Sequence, residues 1–268
     1  MNLQAENNIT IAIADSNNMI LSEKTGADEV NLVYDGAYKE GDKIIVKIPE
    51  KNTFYNIKLD DAVERSLLFV TDNITYTIPF GEKRINISPK AYAGNRHVLN
   101  VRKAYDFELQ QYRNLALNTF DFHGNTSCYP HASANVETRG ESVFAALNAI
   151  DGCTVSHSHG EWPFQSWGIN QNPDAIFKLE FGRSIVTDKI ILYTRADYPH
   201  DNWWKNITIS FSDGSSINSN LTKTGNAQII SFEKRKIEWL TLSRLIKSDE
   251  PSPFPALTQI EVYGQSLV

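Results

Sequence analysis

Short runs in which apolar and polar residues alternate fill most of the first hundred residues. Gly- and Asp-containing turns such as Asp35-Gly36 and Gly41-Asp42 separate them. The runs are ITIAIA from Ile9, EVNLVYD from Glu29, KIIVKI from Lys43, FYNIKL from Phe54, SLLFVT from Ser66 and ITYTIPF from Ile74, with HVLNVRKA from His97 as the expected last strand. This period of two, broken by turns at regular spacing, predicts an all-β sandwich over residues 1–105.

A charged stretch without alternation, residues 106–112, is the predicted linker to a second domain at residues 113–268. Beyond it, ESVFAALNAI from Glu141 has the spacing of a short helix that Ser142 caps and Asp151-Gly152 ends. Alternation then returns in AIFKLEF (175–181), KIILYT (189–194), NITISF (206–211), QIISF (228–232), EWLTLSRLI (238–246) and TQIEVYG (258–264). We predict a second antiparallel sandwich with long connections at one end.

Composition places the chain among globular proteins and narrows its partners. Hydrophobic residues make up 41% of its 268 residues, and the net charge of -6 comes without a basic run. We therefore expect neither nucleic acid nor an anionic membrane surface as the main partner. No apolar run approaches the roughly 20 residues that cross a bilayer, and no signal peptide is evident. These features predict no membrane insertion and a cytoplasmic location, unless a leader has been removed.

One stretch, residues 191–211, combines two alternating runs with a loop between them. The loop holds aromatic rings and hydrogen-bonding groups at high density: Asp197, Tyr198, His200, Asp201, Asn202, Trp203 and Trp204. Framework strands that present such a loop are the expected form of a binding site.

The order of several short motifs resembles a known family. They are NLALN, an Ala-Ile-Asp-Gly turn, a Trp before a strand that ends in Phe-Gly, IILYTR, SFSDGS and a terminal IEVYG. Over residues 113–268 this order is similar to discoidin, or coagulation factor 5/8 type C, domains, and most of all to bacterial carbohydrate-binding modules. The resemblance implies a galactose-binding-like jelly roll with ligand loops at one end, so that the whole chain is two β-sandwich domains.

The resemblance also implies a structural calcium at the Asp-Gly turn. The family's shell uses a carbonyl upstream of the turn, the turn aspartate and an acidic residue in the last strand. These positions correspond to Asn148 and Asp151, with Gln259 where the family has its acid and Glu261 two residues further on. Hard oxygen ligands gathered by a tight turn suit calcium. The alternative is that Asp151-Gly152 only stops a helix.

For the sugar site, the resemblance implies an aromatic platform surrounded by polar groups. Arg195 matches the family's common arginine at the end of its strand; otherwise it pairs with Asp197 or Asp201 to hold the loop. The other expected ligand-binding residues are His200, Asp201, Asn202, Trp203, Trp204, Glu161 and Trp162, with Phe254 at an edge. Because neighbouring strand residues point to opposite sides, we expect only one of Trp203 and Trp204 to be exposed.

Other chemistry fits the sequence less well. Cys128, His131, Cys153, His157 and His159 are zinc-type ligands, but their spacing fits no standard module, so zinc is not expected. A disulfide between the two cysteines is possible but not required. Asp60-Asp61 is interpreted as a turn at a strand end.

Three hypotheses for the function follow. The leading one is binding of a saccharide or polysaccharide without catalysis. The second is a carbohydrate-active enzyme that uses Glu161, His200 or Asp201, and the third is a protein–protein interaction module. The sequence leaves the oligomeric state open.

Overall fold

The computed structural model describes residues 8–196 and 201–267. The first region contains two antiparallel sheets. The strands of one sheet are β1 (Ile9–Ala14), β2 (Ile20–Gly26), β4 (Lys43–Lys47) and β7 (Ile74–Thr77), in the order β2-β1-β4-β7. The strands of the other are β3 (Glu29–Asp35), β5 (Thr53–Lys58), β6 (Ser66–Val70), β8 (Arg96–Lys103) and β10 (Cys128–Tyr129), in the order β10-β6-β5-β8-β3.

The inward-facing residues of both sheets form one hydrophobic core, which includes Ile11, Ile44, Tyr55 and Leu68. The predicted strands of this region are all present, and the all-β assignment is confirmed. Only β2 was missed. Its residues are mostly exposed, so its sequence lacks the alternation that marks a half-buried strand.

The second region is an eight-stranded antiparallel assembly around its own core. Its strands are β9 (Arg113–Asn114), β11 (His131–Ala134), β12 (Trp167–Gly168), β13 (Phe177–Thr194), β14 (Trp204–Phe211), β15 (Ser216–Asn220), β16 (Gln228–Lys247) and β17 (Ala256–Ser266). Their order is β12-β17-β13-β16-β14-β15, with β11 on β13 and β9 on β17. Trp167, Phe177, Trp204 and Leu240 fill the interior.

The strand β13 joins two runs that the sequence had suggested were separated by a turn at Gly182-Arg183. Its pairing with β16 shifts register between Glu180 and Ile185, so the strand bends there without ending. Gly182 has φ +66, and a Cβ at this position would lie 2.4 Å from the Tyr129 ring. Glycine is therefore needed for both the backbone angle and the close approach.

The helix predicted from Glu141 is wrong in type. The chain forms two 3-10 turns, Ser142–Phe144 and Ala146–Ile150, and Ala145 between them is extended. Ser142 does not cap a helix, because its hydroxyl donates to the carbonyl of Glu82 at 2.6 Å. The other short helical elements are Gly81–Arg84, α1 (Asp106–Leu109) and Thr138–Gly140. In the described part of the chain, no helix has the length and apolar character needed to cross a bilayer.

The two cores are linked by segments that lie beyond the predicted linker. Phe120 and Cys128 pack into the first core, and the Cys128–Tyr129 strand pairs with β6. From the second region, the Arg183 guanidinium stacks over the ring of Phe54, 4.6 Å from its centroid. The domain division at residues 106–112 therefore stays a prediction.

Candidate functional site

Arg195 stands at the centre of the loops at one end of the jelly roll, just after β13. Its side chain is fully buried, and Nε donates to Asp201 Oδ2 at 2.7 Å. The Nη1 group donates to the carbonyl of Phe164 at 2.6 Å, and Nη2 donates to that of Ser158 at 3.1 Å. Arg195 thereby ties three loop segments together. The pairing with Asp201 that the sequence offered as an alternative is present, and a contact between Arg195 and a ligand stays a prediction.

Asn202 is a second buried organiser and not a group available to a ligand. It has no exposed surface, and its Nδ2 donates to the carbonyl of Glu250 at 3.1 Å. Its Oδ1 accepts from the Ser248 hydroxyl and from the Trp203 amide, both at 2.7 Å. The assignment of Asn202 to ligand binding is corrected, because its amide is consumed in holding the 248–252 segment.

The two adjacent tryptophans have different environments. Trp204 is 1% exposed and packs in the core beside Trp167, with ring centroids 6.2 Å apart. Trp203 is half-buried and donates its Nε1–H to Glu250 Oε1 at 3.3 Å. The expectation that only one of the pair is accessible agrees with this arrangement. The assignment of Trp204 as a ligand contact is corrected, since no ligand reaches a ring inside the core.

A cavity of about 160 Å³ opens at this loop end beside Arg195 and Asp201. Its aromatic lining comes from Phe144, His159 and Phe254. Phe254 is 43% exposed, so its ring is accessible to a ligand.

Around this aromatic lining lie planar polar groups of Arg139, Asn170 and Gln171. The guanidinium of Arg139 is 5.6 Å from the centroid of Phe144 and forms a two-fold ion pair with Glu141, at 2.6 and 2.8 Å. The cavity therefore combines ring surface with hydrogen-bonding groups.

Some of the predicted site residues line this cavity, and others lie outside it. Arg195, Asp201 and the edge residue Phe254 line it, whereas Glu161 and Trp162 are exposed outside its lining. His200 lies outside the described residues. Sequence reasoning did not assign Arg139, Phe144 and His159 to the sugar site. Only His159 gave a signal, as one of the histidines clustered at 157 and 159.

Two protein donors hold the Asp151 carboxylate at its turn. Asp151 Oδ1 accepts from the Cys153 amide at 2.7 Å, and Oδ2 accepts from Gln165 Nε2 at 2.8 Å. Burial, with a contribution from the charge of Glu64, raises the pKa of the Asp151 carboxyl to about 7. A cation would offset this cost of keeping the carboxylate charged.

Gln259 reaches the same turn from β17. Its amide is hydrogen-bonded when Nε2 points to Ala149 O and Asp151 Oδ1, each 3.3 Å away, while its oxygen accepts from the Gly152 amide at 3.2 Å. The opposite rotation of this amide would bring three oxygens together, but it would also turn Nε2 towards the Gly152 amide, so hydrogen bonding within the protein favours the first orientation. Carbonyl, carboxylate and amide oxygens are the donors that calcium takes, so these residues fit the ion.

The other two predicted calcium ligands are placed differently. The Asn148 side chain accepts from Asn86 Nδ2 and donates to the Ser142 carbonyl, both at 2.8 Å, and its own carbonyl accepts the Asp151 amide. The carbonyl beside Gln259 is that of Ala149, and the assignment of Asn148 as a calcium ligand stays a prediction. Glu261 faces Tyr263, where burial raises the pKa of the glutamate.

The zinc-type residues of the sequence are dispersed. Cys128 is fully buried beside Asn125 in the first core, where burial raises the pKa of its thiol to about 12. Cys153 lies at the Asp151 turn, and both cysteines are free thiols. His131 pairs with Asp121 at 2.9 Å.

A larger cavity of about 860 Å³ separates the first region from the 3-10 turns of the second. Glu82, Lys83 and Ile85 line one side of it, and Arg139 and Glu141 line the other. Ile85 is 43% exposed, the same fraction as Phe254 in the smaller cavity. Substituting each residue in turn therefore shows which of the two cavities holds a ligand.

Comparison with known proteins gives one family model and a set of similar folds. Residues 126–251 match a family described as a domain of unknown function, DUF7402. No curated protein sequence matches the chain.

Three solved structures represent the similar folds. A structure of the Streptococcus pneumoniae β-galactosidase BgaA is 16% identical and covers 58% of this chain and 100% of its own, with a TM-score of 0.45. The lectin domain of lectinolysin, solved with Lewis B antigen, is 17% identical over 57% of this chain and 97% of its own, with a TM-score of 0.41. A family 32 carbohydrate-binding module of C. perfringens NanJ, solved with galactose, is 16% identical over 49% and 91%, with a TM-score of 0.39.

Two of these structures are a lectin domain and a carbohydrate-binding module, and the third belongs to a β-galactosidase.

Proposed function

We propose that this protein binds a carbohydrate, without altering it, in the cavity between Phe144, His159 and Phe254. The observation that carries the proposal is the position of these rings beside the buried Arg195–Asp201 pair. The C–H faces of a sugar pack on aromatic rings, and its hydroxyls take hydrogen bonds from planar polar groups at the rim.

The size of the cavity favours a small part of a glycan. Cavities for drug-sized ligands measure about 300–1,000 Å³, and this one measures about 160 Å³. We therefore expect recognition of a single sugar ring, such as the terminal residue of a chain, with the remainder in solvent.

The contacts favour binding over catalysis by the residues named from the sequence. The Asp201 carboxylate is 8% exposed and held by Arg195, and Glu161 lies outside the cavity lining. Incubation with a polysaccharide panel is expected to yield no product, and a product would favour the enzyme hypothesis.

Glycan-array screening followed by calorimetry of the best ligand tests the site. Phe254→Ala should weaken binding by about tenfold, which corresponds to about 1.4 kcal/mol of lost ring contact. Ile85→Ala removes an equally exposed apolar side chain from the larger cavity and should leave affinity unchanged. Trp162→Ala is a second control, because this exposed ring lies outside the cavity lining.

Two results would count against this site. Unchanged affinity in Phe254→Ala would move the ligand away from the loop end. Weaker binding in Ile85→Ala alone would move it to the larger cavity.

We also propose a structural calcium held by the Ala149 carbonyl, the Asp151 carboxylate and the Gln259 amide oxygen. When bound, the ion would cross-link the turn to β17. Calcium should raise the melting temperature relative to a chelator, and Gln259→Leu should abolish the increase. Glu261→Gln, on the same strand, should retain it. The proposal fails if calcium gives no stabilisation, or if Gln259→Leu keeps it.

A further inference from the structure

The residues that line the loop-end cavity differ in exposure, and this difference separates polar from apolar groups. Three exposed polar side chains form a rim: Arg139, Asn170 and Gln171. The buried wall of the cavity consists of small or apolar residues: Gly168, Ile169, Pro255 and Ala256. Ile169 is 6% exposed and Ala256 is 8% exposed. A ligand that enters the cavity therefore meets hydrogen-bonding groups at the rim and aliphatic groups behind them.

The polar groups beside the buried wall are engaged within the protein or covered by it. Arg195 and Asp201 bond to each other, and the two other nitrogens of the guanidinium group donate to backbone carbonyls. Thr138 Oγ1 accepts from the Asn170 amide at 2.9 Å, and Ser166 has no exposed surface. A sugar hydroxyl placed against this wall would lose its hydrogen bonds to water with few partners to replace them, which is unfavourable.

The buried wall is closely packed beside an aromatic ring. A Cβ at Gly168 would lie 2.6 Å from Thr138 Oγ1 and 3.3 Å from Phe144 Cβ, so glycine is needed for this close approach. Phe144 also lines the cavity. The aliphatic wall and the Phe144 ring therefore enclose one apolar space inside a cavity of only about 160 Å³.

A methyl group is the part of a sugar that suits such a space. It has no hydrogen bonds to lose, and the burial of its apolar surface is favourable. An unmodified hexose carries hydroxyl or hydroxymethyl groups around its ring and has no methyl group. Two modified classes have one: N-acetyl sugars in the acetamido group, and 6-deoxy sugars at carbon 6.

We propose that the loop-end cavity selects a sugar that carries a methyl group, an inference that rests on the function proposed above. The methyl group packs against Ile169 and Ala256, while the ring hydroxyls bond to the polar side chains of the rim. Acetamido and 6-deoxy sugars share this chemistry, and the experiment separates them.

The test titrates the full chain with sugars in pairs that differ at the methyl-bearing position. The pairs are N-acetylglucosamine with glucose, N-acetylgalactosamine with galactose, and L-fucose with L-galactose. In at least one pair, the sugar with the methyl group should bind at least about tenfold more tightly. Preference in the first two pairs identifies the acetamido group, and preference in the third identifies the 6-deoxy position.

Saturation-transfer NMR on the same samples measures which protons of the sugar touch the protein. The methyl protons should receive the largest transfer, because they are the group that the buried wall surrounds. This readout is independent of the affinity and does not require a variant.

Two substitutions at Ile169 form a matched pair. Valine and threonine have nearly the same shape, but threonine brings a hydroxyl to the wall. The preference for the methyl sugar should persist in Ile169→Val and fall in Ile169→Thr, and circular dichroism checks that both variants fold. If Ile169→Thr does not fold, Ala256→Ser places a hydroxyl on the same wall and takes its place.

Several results would overturn the inference. They are equal affinity within all three pairs, larger transfer to ring protons than to the methyl group, or an undiminished preference in the threonine variant. An unmethylated sugar that binds equally well, and loses affinity in Phe254→Ala, would leave the proposed function intact while this inference fails. Affinity that Phe254→Ala leaves unchanged for every sugar would count against the proposed site itself.

Discussion

The loop end of the jelly roll has a buried frame and an exposed rim, and the two are built from different residues. The frame consists of Arg195, Asp201, Asn202 and Trp204, each at most 8% exposed. The rings that line the cavity come from elsewhere in the chain, at Phe144, His159 and Phe254. The comparison shows that a loop rich in polar and aromatic residues can be one that holds other loops in place.

The physical reason lies in the backbone of irregular segments. A loop has no sheet ladder to pair its amides and carbonyls, so side chains must satisfy them. Asn202 does this for the 248–252 segment, and Arg195 does it for Ser158 and Phe164. The donors used in this way hold loops together, although Arg195 and Asp201 also line the cavity.

The largest expected effect is on the frame, at Arg195. Arg195→Met removes one partner of a buried ion pair and the three hydrogen bonds that this arginine donates to Asp201, Phe164 and Ser158, so the free energy of unfolding should fall by about 3–5 kcal/mol. Urea denaturation measures this loss. Arg139→Met changes an arginine whose side chain is 58% exposed and should cost about 0–1 kcal/mol. Similar losses in the two variants would mean that Arg195 is not part of a frame.

The two neighbouring tryptophans give a second comparison between a buried position of the frame and a partly exposed position beside it. Trp204→Ala empties a core position and should lower the free energy of unfolding by about 3–5 kcal/mol. Trp203→Ala removes the same atoms from a half-buried site and should cost clearly less. Thermal and chemical unfolding of both variants measures the difference. Equal losses in the free energy of unfolding would contradict the finding that only Trp204 of the pair is buried in the core.

A third comparison concerns pH and the pair between His131 and Asp121. Burial alone would lower the pKa of His131, but its hydrogen bond and charge interaction with Asp121 outweigh burial and raise it above the usual 6.5. A histidine whose pKa is higher in the folded than in the unfolded state stabilises the protein when it is protonated. This stabilisation is complete at a pH below the pKa of the unfolded state, and it is lost as pH rises through the pKa of the folded state. The stability difference between the unaltered chain and His131→Gln should therefore be larger at pH 6 than at pH 9. A difference that does not change with pH would contradict the shift.

The smallest effect on stability is expected at the rim. Phe254→Ala should change the free energy of unfolding by no more than about 0.5 kcal/mol, because the ring is substantially exposed. The same variant should lose sugar affinity, as described above. A large loss of stability would show that Phe254 belongs to the frame, and the division between the two sets of residues would then fail.

Part of the site was predictable from the sequence. Arg195, Asp201 and Phe254 were named and do line one cavity. The burial of one of the two adjacent tryptophans followed from the alternation along a strand. The role of Phe144 was not predicted, because the sequence around it suggested a helix and the structure has 3-10 turns.

The sequence by itself determined the all-β class and the positions of most strands, because alternation with period two is a local property that neighbouring residues carry. It did not determine that β13 and β16 are continuous strands of 18 and 20 residues, because a bend and a turn contain the same kinds of residue. The tertiary structure alone brings residues 144, 159 and 254 to one cavity and His97 to Asp60. These contacts join residues far apart in the chain, and they depend on strand pairing and loop closure, which no local pattern records.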